Sequence, residues 1–153
     1  MSDQDDVRRF VEHLAMTLHD MGFPRMPARL LVALTASDTG SMSAAELGDV
    51  LQVSPAAVST SVRYLMQIGL VVREPSPGSR RDRYRLPDDP WYEAGLMKTK
   101  ALVQLAELID EGVGAVGPET PAGQRLAEMR DFYRFVESDL ADQLRRWRAS
   151  RGR

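Results

Sequence analysis

Apolar residues near the start of the chain recur at intervals of three and four positions, the spacing of one helix face. They predict a first amphipathic helix from about Val7 to Met21, which ends at the Gly22–Pro24 break. Pro27 fits the first position of a second helix, because its missing N–H has no partner to lose there. The buried side of that second helix is predicted to carry Leu30, Leu31 and Leu34. The polar run at 37–40 predicts a loop.

Two short helices joined by a tight turn are predicted next. Ser43 and Glu46 form a capping-box pattern, in which the hydroxyl of Ser43 accepts the N–H of Glu46 and the carboxylate reaches back to the N–H of Ser43. Ser54 suits the N-cap of the following helix and Pro55 its first position. Gly69 supplies the left-handed residue that ends this helix. The pair predicts a helix-turn-helix motif.

A β-hairpin is predicted directly after the motif. Residues 70–73 read as a strand, 75–79 as a turn and 81–86 as a returning strand. Side chains alternate between the faces of a strand, so Arg81, Arg83 and Arg85 are expected on one face of the hairpin. The hairpin therefore predicts a cationic wing beside the helix-turn-helix motif.

Two long helices are predicted for the rest of the chain. The first runs from about Trp91 towards Gly112, with breaks predicted at 112–114 and at 117–118, and the second starts at Thr120 and Pro121. The apolar stripe of the second helix is wide around Phe132 and Phe135. A patch of that width on a small monomer predicts a homodimer, although packing against the preceding helix accounts for part of the stripe.

Composition excludes several classes of protein. The chain has 153 residues, no cysteine, two histidines and a net charge of −2, so no disulfide is possible and the average charge says nothing of partners. His13 and His19 are expected on different faces of the first helix, which does not suit joint metal binding. We find no catalytic motif, leader or apolar run that predicts a membrane span. The sequence predicts a cytoplasmic protein that is not an enzyme and needs no cofactor or metal.

The second helix of the motif is the predicted reader of duplex DNA. With Val58, Val62 and Leu65 turned inward, its outer side carries small and hydrogen-bonding groups, which a helix needs in order to approach base edges in the major groove. The predicted DNA-binding residues of this helix and its cap are Ser54, Ala56, Ser59, Thr60 and Arg63. The alternative is an ordinary amphipathic helix with a solvated polar face.

The wing supplies the remaining predicted DNA contacts. Its four arginines surround one acid, Asp82, and such a cationic tip suits the negative potential of a narrow minor groove. The predicted DNA-binding residues of the wing are Arg80, Arg81 and Arg83. Asp82 is expected to orient Arg80 or Arg83 through a charge-assisted pair. The alternative is a charged edge that prevents association between sheets.

From about Phe10 to Leu140 the chain resembles the MarR family of winged helix-turn-helix regulators, near its GbsR-like branch. The resemblance rests on the segments 28–31, 43–47, 54–63, 69–73 and 78–86 and on the order of the elements. It implies a mainly α fold with a small β-hairpin wing. Residues 26–88 would form the winged helix-turn-helix domain, and residues 1–25 and 91–150 a helical dimerisation region.

The resemblance also implies a function. A homodimer would bind a pseudo-palindromic double-stranded DNA operator and act as a ligand-responsive repressor of a transporter, efflux or stress operon. Family members often respond to small apolar, lipid-like or phenolic effectors. The residues expected to line an effector pocket are Phe23, Met26, Arg29, Met97 and Leu102. Core packing is the alternative for each of them, and an ion pair for Arg29. The alternative function is a winged-helix adaptor that binds an acidic protein partner.

Overall fold

The computed structural model describes residues 3–152 and divides into two units, residues 1–90 and 91–153. Both are dominated by helices, and the described strands form one small sheet in the first unit. The expected fold class, mainly α with a small β wing, is confirmed. The division into a DNA-binding domain and a dimerisation region stays a prediction.

The first unit begins with four helices, α1 (Asp3–Asp20), α2 (Arg25–Thr35), α3 (Ala44–Leu51) and α4 (Pro55–Gln67). Helix α2 is the centre of the packing, since it contacts α1, α3 and α4. Its apolar side is almost wholly withdrawn from water, and so are the inner positions of α3 and α4. The least exposed large side chains are Leu30, Leu34, Leu47, Val58, Val62 and Leu65. Burial of this cluster holds the helix-turn-helix motif on α2.

Three strands make an antiparallel sheet, β1 (Ser41–Ser43), β2 (Val72–Pro75) and β3 (Asp82–Arg85), in the order β1-β3-β2. Ser41 pairs with Arg85 and Ser43 with Arg83 across one edge of β3. On the other edge, Val72 pairs with Arg85 and Pro75 with Asp82. Strand β1 runs directly into α3, so the wing is hydrogen-bonded to the segment that starts the motif.

The sequence prediction missed β1 and placed the first wing strand too early. Three residues, with Met42 between two serines, give too short an alternation to be told from a loop. Leu70 and Val71 are buried in the core and lie before the strand, which starts at Val72. Apolar content alone could not distinguish this core segment from strand residues.

The second unit comprises α5 (Pro90–Val116), apart from its first residue, and α6 (Pro121–Ser150). The predicted break at Gly112 is wrong and the one at Gly117 is confirmed, because α5 continues to Val116 and ends before Gly117, whose φ is +94°. Glycine inside a helix costs about 1 kcal/mol relative to alanine, which packing can offset. Gly117 ends the helix because its left-handed backbone conformation is costly for other residues.

The turn between α5 and α6 is closed by Thr120, which caps α6 where the sequence predicted the last helix to begin. Its hydroxyl accepts the N–H of Gly123 at 3.0 Å and donates to the carbonyl of Gly117 at 2.7 Å. The two helices approach closely near the start of α5. A Cβ on Gly95 would stand only 2.5 Å from a methyl carbon of Leu144 on α6. Arg130 on α6 joins the two helices through an ion pair with Asp110 on α5 at 2.6 Å, and it also pairs with its neighbour Asp131 at 3.0 Å. Hydrogen bonds to Asp131 and Asp110 raise the pKa of Arg130.

Candidate nucleic-acid interface

An open groove of about 770 Å³ lies between the helix-turn-helix motif and the wing. The first turns of α3, the tight turn and the start of α4 form one wall, and residues of β3 and its approach form the other. The lining residues are Ser43, Ala44, Ala45, Gly48, Asp49, Gln52, Val53, Ser54, Pro55, Arg81, Asp82 and Tyr84. The cap of α4 and the arginine tip of the wing therefore face a common space.

Local caps fix the start of both helices of the motif. The hydroxyl of Ser43 accepts the N–H of Glu46, and that of Ser54 accepts the N–H of Ala57, each at 3.2 Å. Both predicted N-caps are thus confirmed. Gln52 ends α3 with φ at +55°, a left-handed conformation that is uncommon outside glycine. Its side-chain amide donates to the carbonyl of Asp49 at 2.7 Å, which stabilises the sharp turn.

Helix α4 presents the polar face that the sequence predicted. Val58, Val62 and Leu65 are buried, and Ser61 is buried with them. The predicted contact residues Ser54, Ala56, Ser59, Thr60 and Arg63 are all exposed. Arg63 reaches back to the hydroxyl of Ser59 at 3.4 Å, a long hydrogen bond that leaves its guanidinium at the surface. This face therefore offers hydroxyl and guanidinium donors to a ligand.

Arg80 and Arg81 stand at the tip of the wing. Both are exposed, and among residues 3–152 neither is paired with a carboxylate. The tip is held by a turn in which Gly78 has φ at +74° and the hydroxyl of Ser79 accepts the N–H of Arg81 at 3.1 Å. These two side chains supply an unneutralised double positive charge beside the groove.

The other wing arginines are paired with acids. Arg85 lies 2.6 Å from Glu74, and Arg73 lies 3.5 Å from Asp82 and over the ring of Tyr84. The expectation that Asp82 orients Arg80 or Arg83 is wrong, because its partner is Arg73 on the neighbouring strand. Antiparallel pairing brings these two residues close, which the one-dimensional sequence could not show.

Arg83 is turned towards β1 and α3. Its Nε donates to the hydroxyl of Ser41 at 3.1 Å, its Nη2 to the carbonyl of Ser41 at 3.0 Å, and its Nη1 to Glu46 at 3.1 Å. The carboxylate of Glu46 therefore forms an ion pair with Arg83. This pair replaces the predicted capping-box hydrogen bond from the N–H of Ser43 to that carboxylate. Glu46 could not be predicted as a partner of the wing from the sequence, because 37 positions separate it from Arg83.

The residues predicted to line an effector pocket have other contacts. Phe23 meets Tyr64 edge to face, with 5.8 Å between ring centroids. Arg29 binds both carboxylate oxygens of Glu12, at 2.7 to 3.0 Å, and donates to the carbonyl of Leu51 at 3.1 Å. The ion-pair alternative for Arg29 is thus what the structure shows.

Met26, Met97 and Leu102 complete that predicted set. The sulfur of Met26 lies 3.4 Å from Nη1 of Arg29. Met97 is exposed and Leu102 is buried, both in the second unit. The effector pocket stays a prediction. Within residues 3–152 we find no cluster of histidine and acidic side chains suited to a metal ion. None of the helices described is apolar over the length needed to cross a membrane.

A helix-turn-helix motif joined to a three-stranded sheet with an arginine-tipped hairpin defines a winged helix-turn-helix protein. Family models agree in both halves of the chain. Residues 21–82 match the model of the MarR family, and residues 89–150 match that of the MmpR5-like MarR family transcriptional regulators. The chain belongs to the MarR family of transcriptional regulators, so it is a regulator and not an enzyme.

Two relatives extend over nearly the whole chain. This chain is 31% identical over 148 residues to the HTH-type transcriptional regulator MmpR5 of Mycobacterium tuberculosis. The match covers 96% of this chain and 90% of that protein. A crystal structure of a transcriptional regulator superposes with a TM-score of 0.85 at 31% identity, covering 93% of this chain and 97% of the other. The resemblance to the MarR family is therefore confirmed, and the nearness to its GbsR-like branch stays a prediction.

Proposed function

We propose that this regulator is a homodimeric repressor that binds a pseudo-palindromic double-stranded operator. The observation that carries the proposal is the common groove, which has the cap of α4 on one wall and Arg81 on the other. A phosphate backbone seated there would bring α4 into the major groove and the wing tip to the neighbouring minor groove. The residues that would then contact DNA are Ser54, Ala56, Ser59, Thr60, Arg63, Arg80 and Arg81.

Exposed apolar side chains support the homodimer. Phe132 and Phe135 on α6 are 59% and 71% exposed, and Phe10 on α1 is 54% exposed. Aromatic side chains left in water at this level favour burial against another surface. A two-fold axis between identical helices would bury them and place two wings for two half-sites.

The resemblance supports the finer parts of the proposal. We propose that the protein acts in the cytoplasm of a bacterium, on a transporter, efflux or stress operon. Its proposed effector is a small apolar, lipid-like or phenolic molecule. Phe23, Met26, Arg29, Met97 and Leu102 remain the proposed pocket. Arg29 would meet the effector only after exchanging its partner Glu12, since the guanidinium is already held there.

Footprinting on the DNA upstream of the gene tests operator binding against the adaptor alternative. We expect two protected half-sites about one helical turn apart, and an affinity that falls steeply with salt as phosphate contacts release counterions. An adaptor for an acidic protein would protect no specific bases. Its affinity for this fragment would equal that for a scrambled duplex of the same length.

Exchanging Thr60 or Arg63 should change sequence preference more than nonspecific affinity. Loss of one contact to a base edge costs about 1–3 kcal/mol at that position, a factor of roughly 5 to 150. Affinities of Thr60→Ala and Arg63→Ala for single-base variants of the operator measure the effect. Gln67→Ala is the control, because Gln67 is exposed at the far end of α4. A loss equal on all sequences would assign both residues to phosphate.

A further inference from the structure

We propose that Arg83 is a positioning residue that holds the wing against α3, so that Arg81 stands across the groove from the cap of α4. The proposal rests on operator binding by the groove, as proposed above. It assigns the arginines of the wing to two tasks. Arg80 and Arg81 meet the DNA, and Arg83 sets where they stand.

All three nitrogens of the Arg83 guanidinium are engaged within the protein. Two of them bind Ser41, one at the hydroxyl and one at the carbonyl, and the third binds Glu46. A planar guanidinium makes such a set of directed bonds in only one orientation. The side chain is 36% exposed, and its polar edge is turned to β1 and α3 rather than to the groove.

The two partners of Arg83 lie on either side of the start of α3. Ser41 is in β1, and Glu46 is in the first turn of α3, with the N-cap Ser43 between them. Arg83 is therefore tied to the strand that enters the motif and to its first helix. Arg81 precedes it by two positions, so a displacement of β3 at Arg83 would be carried to the side chain that lines the groove.

The other ion pairs of the wing lie within the hairpin, unlike the pair of Arg83 with Glu46. On its other edge, β3 is joined to β2 through Arg73 with Asp82 and Glu74 with Arg85. Those pairs lie within the hairpin and would move with it. Among the ion pairs of the described residues, the pair of Arg83 with Glu46 is the one that joins the hairpin to a helix of the motif.

The decisive variant is Glu46→Ala, because a pure charge effect and a positioning role predict opposite changes in operator affinity. Removing an acid near bound DNA relieves repulsion and should tighten binding if charge alone matters. If Glu46 holds Arg83, its loss should weaken operator binding about 5- to 10-fold. Asp49→Ala is the matched control, since Asp49 is an exposed acid of the same helix that also lines the groove. We expect Asp49→Ala to bind equally or more tightly.

The salt dependence separates positioning from contact. Arg83→Met should lower operator affinity while the slope of log K against log salt stays unchanged, because the bound complex keeps the phosphate contact of Arg81 and only the cost of bringing the wing into place rises. Arg81→Met should make the slope shallower by about 2 in the dimer, at about 0.9 for each phosphate contact. Arg83→Lys should recover only part of the lost affinity, since an ammonium can keep the ion pair with Glu46 but not the paired bonds to Ser41.

The outcomes are distinct. Weakening by Glu46→Ala, with an unchanged slope in Arg83→Met and unaltered thermal unfolding and dimer mass, supports the positioning role. Binding by Glu46→Ala as tight as the original protein overturns it. So does a slope change in Arg83→Met equal to that in Arg81→Met, which makes Arg83 a DNA contact. Failure of the original protein to bind any operator would instead refute the proposed function.

Discussion

Replacing Arg80 and Arg81 together by alanine is expected to weaken operator binding by about 100-fold or more. Four guanidinium groups are lost from the dimer, and each charge-assisted contact to DNA contributes on the order of 1 kcal/mol or more. The slope of log K against log salt should become shallower by about 3 to 4. The dimer should persist, because both side chains are exposed at the wing tip. Fluorescence anisotropy over a salt series, with sedimentation, measures both effects.

Arg145→Ala with Arg146→Ala removes the same number of charges from α6. Cations at the C-terminal end of a helix complement its dipole, and Arg145 already pairs with Asp142. The control pair should therefore change operator affinity by no more than about twofold at any salt concentration. Equal losses from the two double variants would reduce the wing assignment to an effect of total charge.

Replacing Gly123 by alanine is expected to lower the free energy of unfolding by about 2–4 kcal/mol. A Cβ at this position would overlap the carbonyl oxygen of Gly117 and stand 3.0 Å from the Cα of Pro118. Both neighbours are backbone, so the turn between α5 and α6 would have to move. At fixed protein concentration, the melting temperature followed by circular dichroism should fall by roughly 5–15 °C.

The matched control for this prediction is Gly114→Ala, which should change the free energy of unfolding in the opposite direction. Gly114 lies inside α5, and a Cβ there meets nothing within 4 Å. Gly114→Ala should raise stability by roughly 0.5–1 kcal/mol, because alanine is the better helix former. A melting temperature of Gly123→Ala at or above that of the original protein would show that the turn relaxes freely.

Features encoded within a few residues were predictable from the sequence. The caps at Ser43, Ser54 and Thr120 depend on one side chain and a backbone N–H three residues later, and all three are formed. The inner face of α4 follows from helical periodicity in the same way. Local chemistry therefore sufficed for the helix-turn-helix motif and for the polar side that it exposes.

Features that depend on pairing between distant segments were not predictable. Strand β1 exists because Ser41 to Ser43 find hydrogen-bonding partners on β3, about forty positions away. The partners of Arg83, Asp82 and Arg29 likewise come from other elements. A count of charges in the hairpin overstated its free positive charge, because Glu46 and Glu74 neutralise two arginines. The continuation of α5 through Gly112 shows tertiary packing outweighing helix propensity.

The most direct test of the central claim maps where the wing tip touches DNA. The chain has no cysteine, so Ser79→Cys gives one attachment point at the wing tip for a tethered DNA-cleaving iron chelate. We predict cleavage of the bound operator at the outer minor groove of each half-site, and no cleavage from Ser150→Cys on α6. Uncut operator from the Ser79 position in a complex that still forms, or equal cutting from both positions, would contradict the account.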